Sequence, residues 1–186
     1  MWVFTDSDWG GDRVDRRSTT GGAIMFGQHC WKAWASTQGA VALSSAEAEF
    51  YAMVEGTQRA KWAVTVAKEL GVSLGGGGLI LKTDSEAAKS FVSRRGLGRM
   101  RHIEVRDLWL QEEVRMGRVV VKKVAGQENP ADLMTKFLTK LEVVDRLWRM
   151  GILWKDVHGQ LYTCWADSDE QPTSRGGGGD VAMSTG

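Results

Sequence analysis

Alternating apolar and polar positions divide the first part of the chain into short extended stretches. The stretches that predict strands are residues 2–6, 19–26 and 29–35. Gly27 and Gln28 fit a turn between the second stretch and the third. We therefore expect an antiparallel meander of three strands at the start of the fold.

A long helix is predicted next, from Ser44–Ser45 to about Leu70. Core positions recur in it at helical spacing, namely at Ala46, Phe50, Met53, Thr57, Ala60 and Val64. Serines followed by Glu47 are typical of a helix start, and Gly71 fits the C-cap. One face of this helix should therefore cover the sheet.

The second half of the chain alternates strands with shorter helices. Strands are predicted at 79–82 and 118–124, and helices at 85–92, 103–116 and 140–150, with another opened by Asn129-Pro130. The glycine run at 75–78 predicts a flexible loop. Strands interleaved with helices imply an α/β fold with a mixed sheet flanked by helices.

Composition indicates where the folded part should end. A chain of 186 residues with 42% apolar residues suits one domain with a real core. From about Trp165 the sequence turns to Ser, Asp, Gly and Thr, which predicts disorder. We assign residues 1–138 to the domain, 139–164 to a C-terminal helical extension and 165–186 to a disordered Gly/Ser-rich tail.

Charge and cysteine content exclude several classes of protein. The net charge of +1 gives no global basic field, so any nucleic-acid contact has to come from local clusters. Cys30 and Cys164 form no disulfide or zinc pattern and fit a reducing compartment. No apolar run approaches the ~20 residues of a membrane span, and the N-terminus lacks signal-peptide features. We expect a cytoplasmic or nuclear protein that does not bind membranes.

Four carboxylates stand where this topology brings strand ends and helix starts together. Asp6 and Asp84 end predicted strands, and Glu49 and Asp132 lie in the first turns of predicted helices. Clustered carboxylates repel each other, and oxygen ligands select Mg²⁺ or Mn²⁺ to relieve that repulsion. Each acid alone also fits a turn or a helix start without a metal, so the hypothesis depends on the whole set.

Helix geometry favours Glu49 over Glu47 as the functional glutamate. With Ala46 at 0°, Glu49 falls at about −60° and Glu47 at about +100° around the helix. Glu49 is therefore closer to the face that covers the sheet. Glu47 is interpreted as a solvated or capping residue.

Several motifs occur in a fixed order within residues 2–150. They are residues 5–12 (TDSDWGGD), 16–21 (RRSTTG), 30–32 (CWK), 41–52 (VALSSAEAEFYA), 83–85 (TDS), 101–106 (RHIEVR) and 129–136 (NPADLMTK). Together they resemble the RNase H domain of copia-type retrotransposon polyproteins. The 41–52 segment is close to the most specific signature of that family.

The resemblance implies an RNase H-like fold with a mixed five-stranded sheet, and a two-metal site that hydrolyses the RNA strand of RNA–DNA hybrids. Asp6 would bridge two Mg²⁺ (or Mn²⁺) ions. Asp132 would help hold the ion that activates water, and Glu49 and Asp84 the ion near the leaving oxygen. In the parent polyprotein the partner domain would be a reverse transcriptase.

Basic and hydroxyl residues are the candidates for binding the hybrid. They are Arg16, Arg17, Ser18, Ser45, Arg99, Arg101 and His102. Arginines fit phosphate contacts of the kind that hold a duplex without reading its sequence. A solvated surface explains the arginines equally well, and helix capping explains the serine.

Two departures from the family pattern keep a second function open. Asp107-Leu108 stands where relatives usually carry an aromatic residue and a histidine, and residues 125–128 contain no histidine. The alternative is a non-catalytic nucleic-acid-binding or interaction module, derived from a decayed or domesticated retroelement. A DNA-cleaving integrase of the same fold is disfavoured by the SSAEAEFY stretch at residues 44–51.

Overall fold

A computed structural model describes residues 1–73, 78–97, 103, 105–152, 154–155 and 161–162. The strands are β1 (Trp2–Ser7), β2 (Thr19–Phe26), β3 (His29–Thr37), β4 (Leu79–Thr83) and β5 (Val119–Lys123). The α-helices are α1 (Ser45–Glu69), α2 (Glu86–Val92), α3 (Trp109–Arg115) and α4 (Lys140–Arg149). Two-residue strands at Trp154–Lys155 and Leu161–Tyr162 pair with each other outside the main sheet.

The five main strands form one mixed sheet in the order β3-β2-β1-β4-β5. β1, β2 and β3 pair antiparallel, whereas β4 runs parallel to both β1 and β5. The predicted meander and the predicted α/β fold with helices beside a mixed five-stranded sheet are confirmed. β1 lies at the centre of this sheet, so its end is surrounded by other elements.

α1 begins and ends where the sequence predicts. The Ser44 hydroxyl accepts a hydrogen bond from the Glu47 backbone N–H, which is an N-cap contact. At the other end Gly71 takes a φ of +71°, a conformation that glycine adopts without strain. The predicted core stripe is confirmed at Phe50, Met53, Thr57 and Ala60, whereas Ala46 and Val64 are only half-buried.

The sheet separates two apolar clusters, because successive strand residues point to opposite faces. The larger cluster joins Val3, Ile24 and Leu81 to α1, α2 and α3. The smaller cluster joins Phe4, Ala23, Met25 and Ala131 to Met150 just after α4. The second face is thus covered by the C-terminal part of the described chain.

Two helix predictions need correction. The predicted helix at 103–116 is divided into a 3₁₀ turn (Val105–Leu108) and α3, and no side chain caps the start of α3. The helix opened by Pro130 is instead a five-residue 3₁₀ helix, Pro130–Met134, called the proline segment below. The segment is short, and contacts with neighbouring side chains hold it in place rather than a long series of backbone hydrogen bonds.

Several predictions fall outside the described residues. They concern residues 75–77 of the glycine loop, the tail at 165–186, and the candidate residues Arg99, Arg101 and His102. The three-part division of the chain therefore stays a prediction. Among the described residues, no helix is long and apolar enough to cross a membrane.

Candidate metal centre

Parallel pairing of β1 and β4 brings two of the predicted acids together. Phe4 pairs with Lys82, so Asp6 and Asp84 each lie two residues further along neighbouring strands. Both positions have the same parity as that pair, and their side chains therefore leave the same face of the sheet. Asp6 is almost completely buried at 1% exposure, whereas Asp84 is half-buried.

Glu49 reaches the cluster from the other layer. It lies in the early turns of α1, which packs against β1. One oxygen, Oε1, accepts a hydrogen bond of 3.1 Å from the Ser7 backbone N–H at the end of β1. The other oxygen, Oε2, is buried, and among the described residues it has no hydrogen-bond partner. Glu47 is also buried at 1% exposure, which contradicts a solvated role, but its Oε2 accepts from the Leu43 N–H as a capping residue would.

The proline segment carries the fourth acid, Asp132. Asn129, which precedes it, is fully buried and joins it to β1, because its Nδ2 donates to the Thr5 carbonyl oxygen at 2.9 Å. Asn129 Oδ1 accepts from the Ala131 N–H at 3.2 Å and so caps the segment. Asp132 is held immediately beside Asp6 as a result.

Gly21 allows the proline segment to lie so close to the sheet. It pairs with Asp6 across β1 and β2. A Cβ atom on Gly21 would lie 2.7 Å from Thr135 Cγ2 and 2.8 Å from the Ala131 carbonyl oxygen. Because real Cβ atoms essentially never approach backbone that closely, only glycine fits here without moving the segment.

Asp6, Asp84 and Asp132 converge into one cluster. Each offers a carboxylate oxygen, and these oxygens all lie within 4.8 Å of one another. Among the described residues, two cations contact the cluster. Lys136 Nζ lies 3.1 Å from Asp6 Oδ1 and 2.7 Å from Asp132 Oδ1, and Arg146 Nη2 lies 3.4 Å from Asp132 Oδ2.

Burial makes this cluster unfavourable for negative charge. Burial, and to a lesser degree the nearby Asp132, raises the pKa of Asp6 to about 6, although Thr135 and Lys136 act in the opposite direction. Burial, followed by the charges of Asp6 and Asp84, raises the pKa of Glu49 to about 8. Both carboxyls therefore hold protons at higher pH than usual unless a cation is added.

The residues present fit a divalent ion. The oxygen-only donor set is the one that Mg²⁺ and Mn²⁺ prefer. The orphaned Glu49 Oε2 is a buried acceptor that lacks a donor or a cation. A buried acceptor without a partner is costly, and a cation near Asp6 and Asp84, whose charges act on Glu49, would offset that cost.

The sequence comparisons point to one group of proteins. The chain is 33% identical over 141 residues to the retrovirus-related Pol polyprotein from transposon TNT 1-94 of Nicotiana tabacum, which covers 74% of the chain. It is 26% identical over 153 residues, or 82% of the chain, to the corresponding polyprotein from transposon RE2 of Arabidopsis thaliana. The chain is a homologue of copia-type Pol polyproteins. It spans 10% of the length of each of these relatives.

No protein-family model matches the chain. Among solved structures, it is similar to RNase H1 from the archaeon Halobacterium salinarum NRC-1, with a TM-score of 0.46 and 16% identity. That similarity covers 72% of this chain and 92% of the archaeal chain.

The predicted substrate-binding residues of this chain differ in their exposure to solvent. Ser18 is fully buried and its hydroxyl accepts a hydrogen bond from the Gly10 N–H, so it supports a loop rather than facing a substrate. Arg16 and Arg17 are exposed in the loop after β1, and Arg17 pairs with Asp15 at 3.3 Å. Ser45 is exposed at the first turn of α1, one residue after the N-cap. Arginine and Ser45 contacts with a substrate stay predictions.

The sequence patterns did not indicate which residues hold the acids of the cluster in place. Asn129 was interpreted only as part of a helix start, and Lys136 and Arg146 were given no role. One signal was available for Lys136, because it lies four residues after Asp132 and that spacing places two side chains together on a helical turn. No local pattern connects Arg146 with Asp132, since the contact depends on how α4 packs.

Proposed function

We propose that the chain is a ribonuclease that hydrolyses the RNA strand of RNA–DNA hybrids, with Asp6, Glu49, Asp84 and Asp132 as its metal ligands. The observation that carries the proposal is the convergence of carboxylate oxygens from Asp6, Asp84 and Asp132 within 4.8 Å of one another. Glu49, whose pKa is raised in part by the charges of Asp6 and Asp84, adds a buried oxygen that has no partner among the described residues. Homology to retrovirus-related Pol polyproteins supports the same function, because the sequence motifs resemble the RNase H domain of such polyproteins. The parent polyprotein would supply a reverse transcriptase domain as partner.

The residues of the chain would prepare the site for this reaction. Two divalent ions held by the four acids would supply positive charge for the attacking and leaving oxygens of a phosphodiester. Asp6 has a carboxylate oxygen within 4.8 Å of those of Asp84 and Asp132, and it would be the acid that serves both ions. Burial of Asp6 and Glu49 keeps bulk water away from part of the cluster, which strengthens electrostatic interactions there.

Residues outside the acidic cluster would hold the rest of the substrate. Arg16 and Arg17 lie on the loop that follows β1 and offer positive charge for backbone phosphates. Ser45 offers a hydroxyl for a contact with the RNA strand, whose 2′-hydroxyls distinguish it from DNA. Binding of this kind would be largely independent of sequence and would weaken as the salt concentration rises.

A cleavage assay tests the proposed function. An RNA–DNA hybrid labelled on each strand separately is incubated with the protein and Mg²⁺ or Mn²⁺. We expect metal-dependent cutting of the RNA strand, and at least a ~100-fold loss in Asp84→Asn, since losing a ligand should cost at least as much as losing a residue that supports one. Glu69→Gln removes an exposed carboxylate at the end of α1 and should leave cleavage unchanged.

One observation favours the second candidate, a non-catalytic nucleic-acid-binding module. Lys136 and Arg146 form ion pairs with Asp6 and Asp132 and so neutralise part of the acidic cluster. In a binding module these contacts would simply stabilise the fold. Hybrid binding by a folded protein that cleaves neither strand would support this candidate against the nuclease.

A further inference from the structure

The contacts of Lys136 differ from those of an ordinary surface lysine. Its ammonium group lies between Asp6 and Asp132, at 3.1 Å and 2.7 Å from one oxygen of each. The ammonium thus stands as a positive charge between two acids of the proposed metal site.

The charges of the cluster show what this ammonium does. Asp6, Glu49, Asp84 and Asp132 carry four negative charges when all are ionised, and Lys136 and Arg146 return two positive ones. The remaining two negative charges are balanced by a single divalent ion. An ion added beside Asp132 would be repelled by both built-in cations, so its binding is favoured when one of them leaves.

Lys136 and Arg146 are not equally able to leave. The Arg146 side chain is 6% exposed and also binds Asp145 at 2.7 Å, so it is enclosed by protein. The Lys136 side chain is 42% exposed and reaches the acids from the solvent side. Its backbone N–H donates to the Asp132 carbonyl oxygen at 2.9 Å, so the side chain can swing out while the backbone stays in place.

We propose that Lys136 is an internal competitor for metal, whose ammonium group occupies the Asp6–Asp132 side of the site until a divalent ion displaces it. This inference rests on the proposed function, because it assumes that the four acids hold divalent ions. Among the described contacts, the ammonium touches neither Asp84 nor Glu49. The first ion therefore enters on the Asp84–Glu49 side, and the ion between Asp6 and Asp132 binds more weakly because it must replace Lys136.

Calorimetric titration of the full chain with Mn²⁺ tests the proposal without any cleavage. We expect Lys136→Met to strengthen the weaker binding step by at least about tenfold, because a competing positive charge a few ångströms from the ion is removed. Lys140→Met is the matched control, since it removes an exposed lysine at the start of α4 and should titrate like the wild type. Lys136→Arg keeps the charge and should bind Mn²⁺ no more tightly than the wild type.

Thermal unfolding in EDTA provides a second readout. Lys136→Met should unfold at a lower temperature than the wild type without metal, because Asp6 and Asp132 then repel each other, and Mn²⁺ should raise its midpoint by more. If the variant does not fold in EDTA, the proposal requires Mn²⁺ to restore its folding. Failure of Mn²⁺ to do so would overturn the proposal.

The two proposals fail in different ways. If neither the wild type nor Lys136→Met binds Mn²⁺, the metal-dependent function is wrong and this inference is wrong with it. If the wild type binds Mn²⁺ and Lys136→Met binds it equally or more weakly, only the inference is overturned. The same holds if Lys136→Arg binds Mn²⁺ more tightly than the wild type.

Discussion

Glu49 and Asp132 face the same acidic cluster, but very different pieces of backbone carry them. Glu49 is on α1, a 25-residue helix whose buried face belongs to the larger apolar cluster. Asp132 is on the five-residue proline segment. Hydrogen bonds of Asn129 and Arg146 hold this segment in place, and the absence of a side chain on Gly21 leaves room for it against the sheet. One acid is positioned by regular secondary structure and apolar packing, and the other by single polar contacts. Stability and site geometry should therefore respond to different mutations.

The largest loss of stability is expected in the apolar cluster. Leu110 is fully buried in α3 and packs in the cluster that includes the buried face of α1. Leu110→Ala should lower the free energy of unfolding by about 2–5 kcal/mol, because it leaves a cavity. Mn²⁺ affinity, measured by calorimetry on the folded protein, should stay the same, and a large loss of affinity would contradict the separation of the two regions.

A mutation of Arg146 tests the polar contacts that position Asp132. Arg146→Met leaves the buried carboxylate of Asp132 with one cation fewer and should lower the free energy of unfolding by about 3 kcal/mol, measured by urea denaturation. Mn²⁺ affinity should fall together with stability in this variant, because Asp132 loses a positioning contact. Arg149→Met is the matched control, since Arg149 binds the same Asp145 at 2.8 Å but is more exposed and has no described contact with Asp132. An equal loss in both variants would contradict a special role for Arg146.

Gly21→Ala should move the proline segment off the sheet. The added Cβ would overlap Thr135 and the Ala131 carbonyl group, and overpacking of this kind costs about 1–3 kcal/mol. Hybrid cleavage should fall more than stability does, because Asp132 is displaced from Asp6. Gly39→Ala is the control, since a Cβ there meets nothing within 4 Å, and the same assays should leave it close to wild type.

The smallest expected effect is a pH dependence of the metal-free protein. The pKa of Glu49 rises from 4.5 in an open chain to about 8 in the fold, so between these values the folded state holds more protons than the unfolded state. The stability that Glu49 contributes is complete below about pH 4.5 and is lost as the pH rises through 8. Asp6, with its pKa raised to about 6, adds a loss in the same direction at lower pH.

Denaturation measured in EDTA across this range checks the sign. Wild-type stability should fall as the pH rises from 5 to 8, and Glu49→Gln should flatten most of that slope, since its amide does not titrate. Added Mg²⁺ should also flatten the wild-type slope, because a bound cation favours the ionised carboxylates. A wild-type stability that rises with pH in EDTA would show that the burial of Glu49 has been misjudged.

The regular elements could be predicted well because their signals are local. Apolar periodicity, Ser44 and Gly71 together located α1, and the positions of Asp6 and Asp84 followed from the ends of two strands. The proline segment was predicted less well. A proline after a capping asparagine favours any helical start, and only neighbouring contacts decide whether an α-helix or a short 3₁₀ helix follows.

Local sequence patterns were enough to predict the order of strands and helices, and they singled out Asp6, Glu49, Asp84 and Asp132 at strand ends and helix starts. These follow from spacing and from residue type, which act over a few neighbouring positions. Tertiary structure alone decided that Ser18 turns inward, that Asn129 binds the Thr5 carbonyl, and that Arg146 reaches Asp132. Asn129 and Thr5 are 124 residues apart, and contacts over such separations depend on how whole elements pack, which no local pattern records.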